Sequence, residues 1–363
     1  MTPPFFCSPL RCLALLAVVV SPCACGSSSG TPSGPATGAG ADAPTDAAST
    51  TPYVPKGVTI GDSDVIAMRF TDERNGFLLL SGKSPASRGV WATADGGASW
   101  TKRELDLSPT GLAFTPDLGR LWVVGTNPVS MLWSSGDRGG SFAPLPWSGG
   151  SPGGIAFVDA ETILVPDFVG DSLYRSADGG ATWVTRTFDG SYAAAHIAVS
   201  GRDVWLAGGL SFTASGARVT HSTDGGATWS TATLTDKAHS FEGGELRTVT
   251  TVSAADVWVA GANRQVFHTT NAGGDWSQVT GIPDTFGGFG GIDVRGSQVT
   301  LAGSSANGYA LYVSDDSGAS FRLGEQIRCP GVCGLVKGIA SPRAGVLFVY
   351  GQRLLWRVER SAP

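Results

Sequence analysis

From about residue 53 onward the apolar residues come in short runs separated by polar, glycine-rich turns, and no stretch carries the three-to-four spacing of a helix. One arrangement recurs: an apolar run, a polar turn, and a second apolar run that usually ends in Gly. It reads MRFTDERNGFLLLSG at 68–82, LAFTPDLGRLWVVG at 112–125, IAFVDAETILVPD at 155–167 and IAVSGRDVWLAGG at 197–209. It continues as VTTVSAADVWVAGA at 249–262, IDVRGSQVTLAGS at 292–304 and IASPRAGVLFVYG at 339–351. Each copy predicts two paired strands, A and B.

A second motif follows the first six copies. It is an octapeptide of the form Ser/Thr-x-Asp-x-Gly-x-Ser/Thr-aromatic, best seen in Ser222–Trp229 (STDGGATW). The others are Thr93–Trp100, Ser135–Phe142, Ser176–Trp183, Thr269–Trp276 and Ser314–Phe321. Their third positions are Asp95, Asp137, Asp178, Asp224, Asn271 and Asp316, spaced 42, 41, 46, 47 and 45 residues apart. A period in this range specifies a solenoid or a propeller. With a strand C before each octapeptide and a strand D after it, four strands fill about 44 residues, the content of one propeller blade. The expected fold is therefore all-β, a seven-bladed propeller of four-stranded antiparallel blades. After Arg353-Leu-Leu-Trp-Arg-Val358 the seventh unit lacks an octapeptide, while Tyr53–Ile60 (YVPKGVTI) precedes the first strand A. Because an open ring leaves a strand edge exposed, 53–60 is expected to close the last blade.

The aromatic residues keep the same register. Trp91, Trp133, Tyr174, Phe267 and Tyr312 stand two places before their octapeptides, Trp356 falls in the same column, and Thr220 is the exception. Trp122, Trp205 and Trp258 share a column in strand B, and only Trp147 has no place in the repeat.

In the octapeptide, a turn Asp accepts hydrogen bonds from backbone N–H groups one or two residues on, and the Gly two residues later supplies positive φ. The aromatic residue opens the next strand. These octapeptides resemble the Asp-box, or BNR, repeat of sialidases, sortilin-type receptors, xyloglucan-cleaving endoglucanases and the photosystem II assembly-factor family. Asp203-Val-Trp-Leu-Ala-Gly208 and Asp256-Val-Trp-Val-Ala-Gly261 resemble the last of these most. The resemblance covers about 55–360. It implies that the six turns are structural, and that the chain is a lipid-anchored, non-catalytic binding protein. That family's Arg-rich patch has only a scattered counterpart here, in Arg264, Arg328 and Arg353.

The N-terminal segment supports export. Leu13–Val20 is an apolar core too short to span a bilayer, and Arg11 is the only charge before it. Pro22-Cys23-Ala24-Cys25-Gly26 resembles a bacterial lipoprotein cleavage site with Cys25 as the lipidated residue; ordinary cleavage and use of Cys23 stay open. The expected organisation is a signal at 1–25, a Gly/Ser/Ala/Pro tether at 26–52 and the propeller at 53–363. The net charge of −5 comes with no basic cluster, which argues against a nucleic-acid partner. Of six Cys, only Cys329 and Cys333 lie beyond the signal, and a local disulfide across Pro330-Gly331 is expected. No metal or cofactor is expected, since two Cys without nearby His leave a zinc site unfilled.

In propellers with such turns, the opposite face, made by the B–C loops and the connections between blades, is where chemistry is expected. The candidate binding residues are Phe241, Glu242, Glu245, Arg264, Asp284, Phe286, Phe289, Arg328 and Arg353. The three Phe stand among glycines and either anchor a partner or fold inward to plug the channel mouth. The alternative is a glycoside hydrolase, which needs two carboxyl groups about 5–9.5 Å apart, drawn from Asp167, Asp189, Glu242, Glu245 and Asp284. A sialidase is disfavoured: Met68-Arg69-Phe70 stands where an Arg-Ile-Pro-like motif is required. His221 and His268 share a column that packing or hydrogen bonding explains, whereas His196 and His239 flank the start of the fourth blade near the channel mouth. The expected protein is a monomeric envelope lipoprotein that binds a protein or glycan, with the membrane reached only through its lipid.

Overall fold

A computed structural model describes residues 63–360 together with Lys56, Val58 and Ile60, except 104, 106, 127–129, 168–170, 189–195, 209–216, 235–244, 284–286, 306–307 and 329–333. The first sheet holds β1 (Asp64–Phe70), β2 (Gly76–Ser81), β3 (Gly89–Thr93) and β4 (Thr101–Lys102). The second holds β5 (Ser108–Phe114), β6 (Leu121–Thr126), β7 (Ser130–Ser135) and β8 (Ala143–Leu145). The third holds β9 (Ala156–Phe157), β10 (Ile163–Pro166), β11 (Ser172–Ser176) and β12 (Val184–Thr187). The fourth holds β13 (His196–Ser200), β14 (Asp203–Gly208), β15 (Ala217–Ser222) and β16 (Ser230–Leu234). The fifth holds β17 (Leu246–Thr251), β18 (Val257–Gly261), β19 (Val266–Thr269) and β20 (Ser277–Gln278). The sixth holds β21 (Phe289–Arg295), β22 (Gln298–Ser305), β23 (Gly308–Ser314) and β24 (Arg322–Arg328), and the seventh β25 (Val336–Arg343), β26 (Val346–Gly351) and β27 (Leu354–Glu359).

Every sheet is an antiparallel meander in sequence order. The first strand of each sheet lies against the first strand of the next, in the order β1, β5, β9, β13, β17, β21, β25, and β25 returns to β1. The result is the expected seven-bladed propeller. Its inner strands enclose a central channel of about 550 Å³. Five of them carry an irregularity in register near their starts, at Ile66, Thr110, Arg247, Gly290 and Lys337. Such bulges add twist and re-aim a side chain, here at the end of the channel next to the blade connections.

Burial explains why the strands carry so little polarity. Among the described residues the core consists of seven apolar clusters, each drawn from two neighbouring sheets and each filling one seam of the ring. A single column on the B strands interlocks the blades. A methyl group placed on Gly139 of the second blade would fall 2.5 Å from the Phe77 ring of the first. The same relation links Trp122 to Gly180, Leu164 to Gly226, Trp205 to Gly273 and Trp258 to Gly318. Phe348 of the seventh blade covers Gly97 of the first, so the column also closes the ring.

The last sheet has three strands among the described residues. Of the segment expected in its outer position only Lys56, Val58 and Ile60 are described; Lys56 forms a parallel bridge to Ser99 of the first blade, with the Trp100 N–H donating to the Lys56 carbonyl at 2.9 Å. Val58 and Ile60 fill the seam with Trp100, Phe348 and Leu355, and so help close the ring at the junction of first and last blades.

Where the seventh turn is missing, a different device holds the sheet. Arg360 occupies the column of the turn carboxylates, four residues after Trp356, as Asp95 follows Trp91. Its Nε and Nη2 donate to the two carboxylate oxygens of Glu325 on β24 at 2.7 and 2.6 Å, and its Nη1 donates to Thr300 Oγ1 at 3.2 Å. Thr300 is the B-column residue of the sixth blade, the one place where no glycine turn follows to receive a large side chain.

Candidate functional site

The octapeptide turns are built alike. The leading hydroxyl donates to Oδ1 of the third residue at 2.7–2.9 Å and accepts the N–H of the fifth-position Gly. Oδ1 also accepts the N–H of the seventh residue at 2.8–2.9 Å. In the five Asp turns Oδ2 takes the hydroxyl of that residue. The Asp thus reaches four residues on rather than one or two, because the first-position hydroxyl already serves the nearer N–H groups. In the Asn271 turn the charge is exchanged: the Asn271 amide donates to Asp275 at 3.0 Å. The fifth-position glycines have φ between +80° and +92°, as expected, but the fourth position is left-handed too and holds Arg138, Ala272 and Ser317 in three turns.

These bonds favour the ionised carboxylate. Thr182 and Ser320 lead in holding Asp178 and Asp316 down at about 2; at Asp95 partial burial opposes the hydrogen bonds, which still prevail to about 2. Asp137 and Asp224 lie lower still, held first by Ser135 and Thr228. Five turns are further tied to the adjacent A–B turn by a backbone bond, for instance Gly179 N–H to the Glu161 carbonyl at 2.9 Å. One face of the ring therefore spends its carboxylates on itself.

The opposite end carries the B–C loops and the connections between blades. Glu245 precedes β17 and is engaged by Arg247 at 3.3 Å, while Arg247 also donates to the Gly287 carbonyl at 3.1 Å. Arg264 lies in the B–C loop of the fifth blade at φ +62°, Arg353 in that of the seventh at φ +59°, and Arg328 ends β24. Arg328 and Arg353 are exposed. Phe289 is corrected: it is fully buried, edge-on to Tyr312 with ring centres 5.5 Å apart, and belongs to the seam between the fifth and sixth blades. A seam needing a large side chain at the start of β21 outweighs the glycines that surround it. Cys25, Phe241, Glu242, Asp284, Phe286, Cys329 and Cys333 lie outside the described residues, as do Asp189 and His239.

Of the carboxylates considered for hydrolysis, Asp167 and Glu245 are described, and they belong to the third and fifth blades. The Tyr174 hydroxyl donates to Asp167 at 3.2 Å. Trp147, unplaced by the repeat, packs edge-on between Tyr174 and Trp183 and donates to the Gly150 carbonyl at 2.9 Å. His221 and His268 stack on Trp205 and Trp258 at 3.6 and 3.9 Å and hydrogen-bond Asp203 and Asp256 at 2.8 and 2.9 Å. Thr220, which breaks the aromatic column, is buried and shares a 2.9 Å hydrogen bond with Thr231.

The channel holds what the sequence left unassigned. Arg69, His196 and Lys337 line it, from β1, β13 and β25. His196 faces the lumen water but is walled in by the ring, and this enclosure with the charges of Arg69, Arg247 and Lys337 lowers it to about 4. Burial also lowers Lys337, against the attraction of Asp64 at 3.6 Å. These residues come from units far apart in sequence, and of the three only His196 is placed near the channel mouth by the repeat; Lys337 sits at the register irregularity of β25 and Arg69 close to the A–B turn of β1.

The fold defines the class: a seven-bladed β-propeller with repeated turns whose carboxylates bond within the turn. No protein-family model and no curated protein matches the chain. Solved structures do resemble it. YCF48 bound to D1 peptide is similar with a TM-score of 0.64 at 21% identity, over 86% of this chain and 98% of that one. The GH74 enzyme of Niastella koreensis is similar at 0.63 and 14%, over 83% of this chain and 53% of that one. Streptogramin B lyase is similar at 0.62 and 14%, over 84% and 95%. At these identities the likeness is one of fold.

Proposed function

We propose that this protein is a non-enzymatic binding scaffold of the cell envelope, anchored through a lipid on Cys25, that engages a protein partner on the face opposite the octapeptide turns. The observation that carries the reading is the asymmetry of the ring. On one face each turn carboxylate is consumed by hydroxyls and N–H groups of its own turn. On the other, Arg328 and Arg353 are exposed at the blade ends beside the least repetitive connections. YCF48, of the same fold, is known in complex with a D1 peptide, which supports a peptide-binding face on such a ring. Exposed arginines suit protein recognition because their planar, bidentate heads match carboxylates.

The test is affinity capture by the intact lipoprotein from envelope extracts, against Arg328→Glu/Arg353→Glu. A partner retained by the wild type and lost by the variant supports the reading; equal capture by both removes this face from it. A hydrolase reading draws on the likeness to the GH74 enzyme. Turnover of a chromogenic glycoside panel that Glu245→Gln abolishes would favour it over the scaffold.

A further inference from the structure

The central channel is unlike either face. Seven inner strands wall it, and small residues let them approach closely: a methyl on Gly111 would fall 2.8 Å from the Gly154 Cα of the next blade. Hydroxyl straps fix the wall, with Thr250 donating to the Ile292 carbonyl at 3.3 Å and Thr110 to the Pro152 carbonyl at 2.5 Å. The lining is glycine, alanine, threonine and aliphatic side chains, together with Arg69, His196 and Lys337. No carboxylate is among the described lining residues. Asp64, at the start of β1, approaches Lys337 at 3.6 Å, and Arg247 is held by Glu245. Arg69 has no hydrogen-bond or ion-pair partner among the described residues. A solvent-exposed guanidinium with no such partner, beside a loosely paired ammonium, leaves a net positive potential focused within the ring.

We propose that the channel binds a small molecule bearing a carboxylate or phosphate group, held by Arg69 and Lys337, with the His196 ring and the Thr248 hydroxyl as further polar contacts. The volume of about 550 Å³ lies within the range of small-ligand sites, roughly 300–1,000 Å³. Arg69 supplies the bidentate fork and Lys337 a point charge, from strands that meet at the seam of the first and last blades. His196 faces them across the lumen. A bound anion would cancel part of the field that keeps the imidazole neutral and so draw a proton onto it. The groups acting on His196 are Arg69, Arg247 and Lys337, with Asp64 and Glu245 as their counter-charges. This site is separate from the partner face proposed above, and neither depends on the other.

The experiment is calorimetric titration of the full chain with inorganic phosphate and, separately, succinate at low salt, with the His196 ring signals followed by NMR. Binding of either anion is expected, with the His196 pKa rising by about one unit and with affinity falling at least about tenfold in Arg69→Gln. The stronger of the two anions assigns the ligand to the phosphate or the carboxylate class. Arg295→Gln, at the end of β21, bonded to Asp293 and not among the residues lining the channel, serves as control and should leave binding unchanged. Lys337→Gln provides a second variant should Arg69→Gln not fold. No heat and no His196 response with either anion overturns the proposal, as does binding that neither channel variant weakens.

Discussion

Arg360→Met tests whether the seventh blade is held by substitution of one device for another. The Arg360 and Glu325 side chains are 17% and 20% exposed, and the pair is bidentate with a third bond to Thr300. Fully exposed pairs contribute about 0–1 kcal/mol, and breaking a buried pair costs about 3–5 kcal/mol. Four-fifths burial, with Glu325 left without its partner, places Arg360→Met at about 2–3 kcal/mol. At about 2 °C per kcal/mol for a domain of this size, Tm should fall by about 4–6 °C. The loss should be local, so amide exchange should quicken first along β27, whose continuation is tied by the Arg360 N–H to the Gly345 carbonyl. Glu325→Leu combined with Arg360→Met removes both charges and should recover most of the stability, because a charge pair of this burial costs as much to desolvate as it returns. Calorimetric unfolding of the two singles and the double reads the coupling directly. A Tm for Arg360→Met within about 1 °C of wild type would refute the reasoning.

The turn carboxylates should govern the acid limb of stability. Their folded pKa values are depressed, so they add stability fully above about pH 4 and lose it as the pH falls through about 2; chemical denaturation from pH 5 to 2 should show that slope, shallower in Asp178→Asn. Ser317→Gly relieves a left-handed φ of +58° and should raise stability by up to about 1 kcal/mol, read as a higher denaturation midpoint. Phe289→Ala empties a fully buried position and should cost about 3–5 kcal/mol, with destabilisation rather than a pure loss of binding as the readout. A palmitate analogue should label the wild type and not Cys25→Ala, as checked by fluorescence after gel separation.

The ring was legible because its evidence is periodic. Strand pairs recur, the octapeptides keep phase, and the columns of Trp91 and Trp205 report a register that a blade needs in order to pack. The meaning of individual positions was less legible. The reach of Asp178 to Thr182 follows from a hydroxyl at Ser176 whose role the motif alone does not reveal. Phe289 looks exposed among glycines, yet a seam filled from two sheets decides its place, and the sequence of one blade contains no trace of its neighbour's demand. Arg69, His196 and Lys337 belong to units one, four and seven, so no local pattern joins them. Thr300 and Arg360 did carry a signal in the sequence, a small polar residue in place of a large apolar one, one blade before a missing turn, but it becomes readable only once the B column is seen to press on the next blade's glycine.

The covering of Gly97 by Phe348 has a consequence for how the chain is made. Apart from Thr300, which no glycine turn follows, every other B-column side chain meets a glycine that comes after it in the next unit, so those seams can be settled as synthesis proceeds. Gly97 and Trp100 must wait for a ring that is translated after six sheets are complete. Until then the first blade shows bare apolar surface at its outer seam, with Val58 and Ile60 as its nearest available cover. A contact this distant in sequence is slow to form, and a half-made ring offers its open seam to any other chain in the same condition. Crowding of nascent copies, rather than the finished molecule, is then the point at which this architecture is most exposed to misassembly.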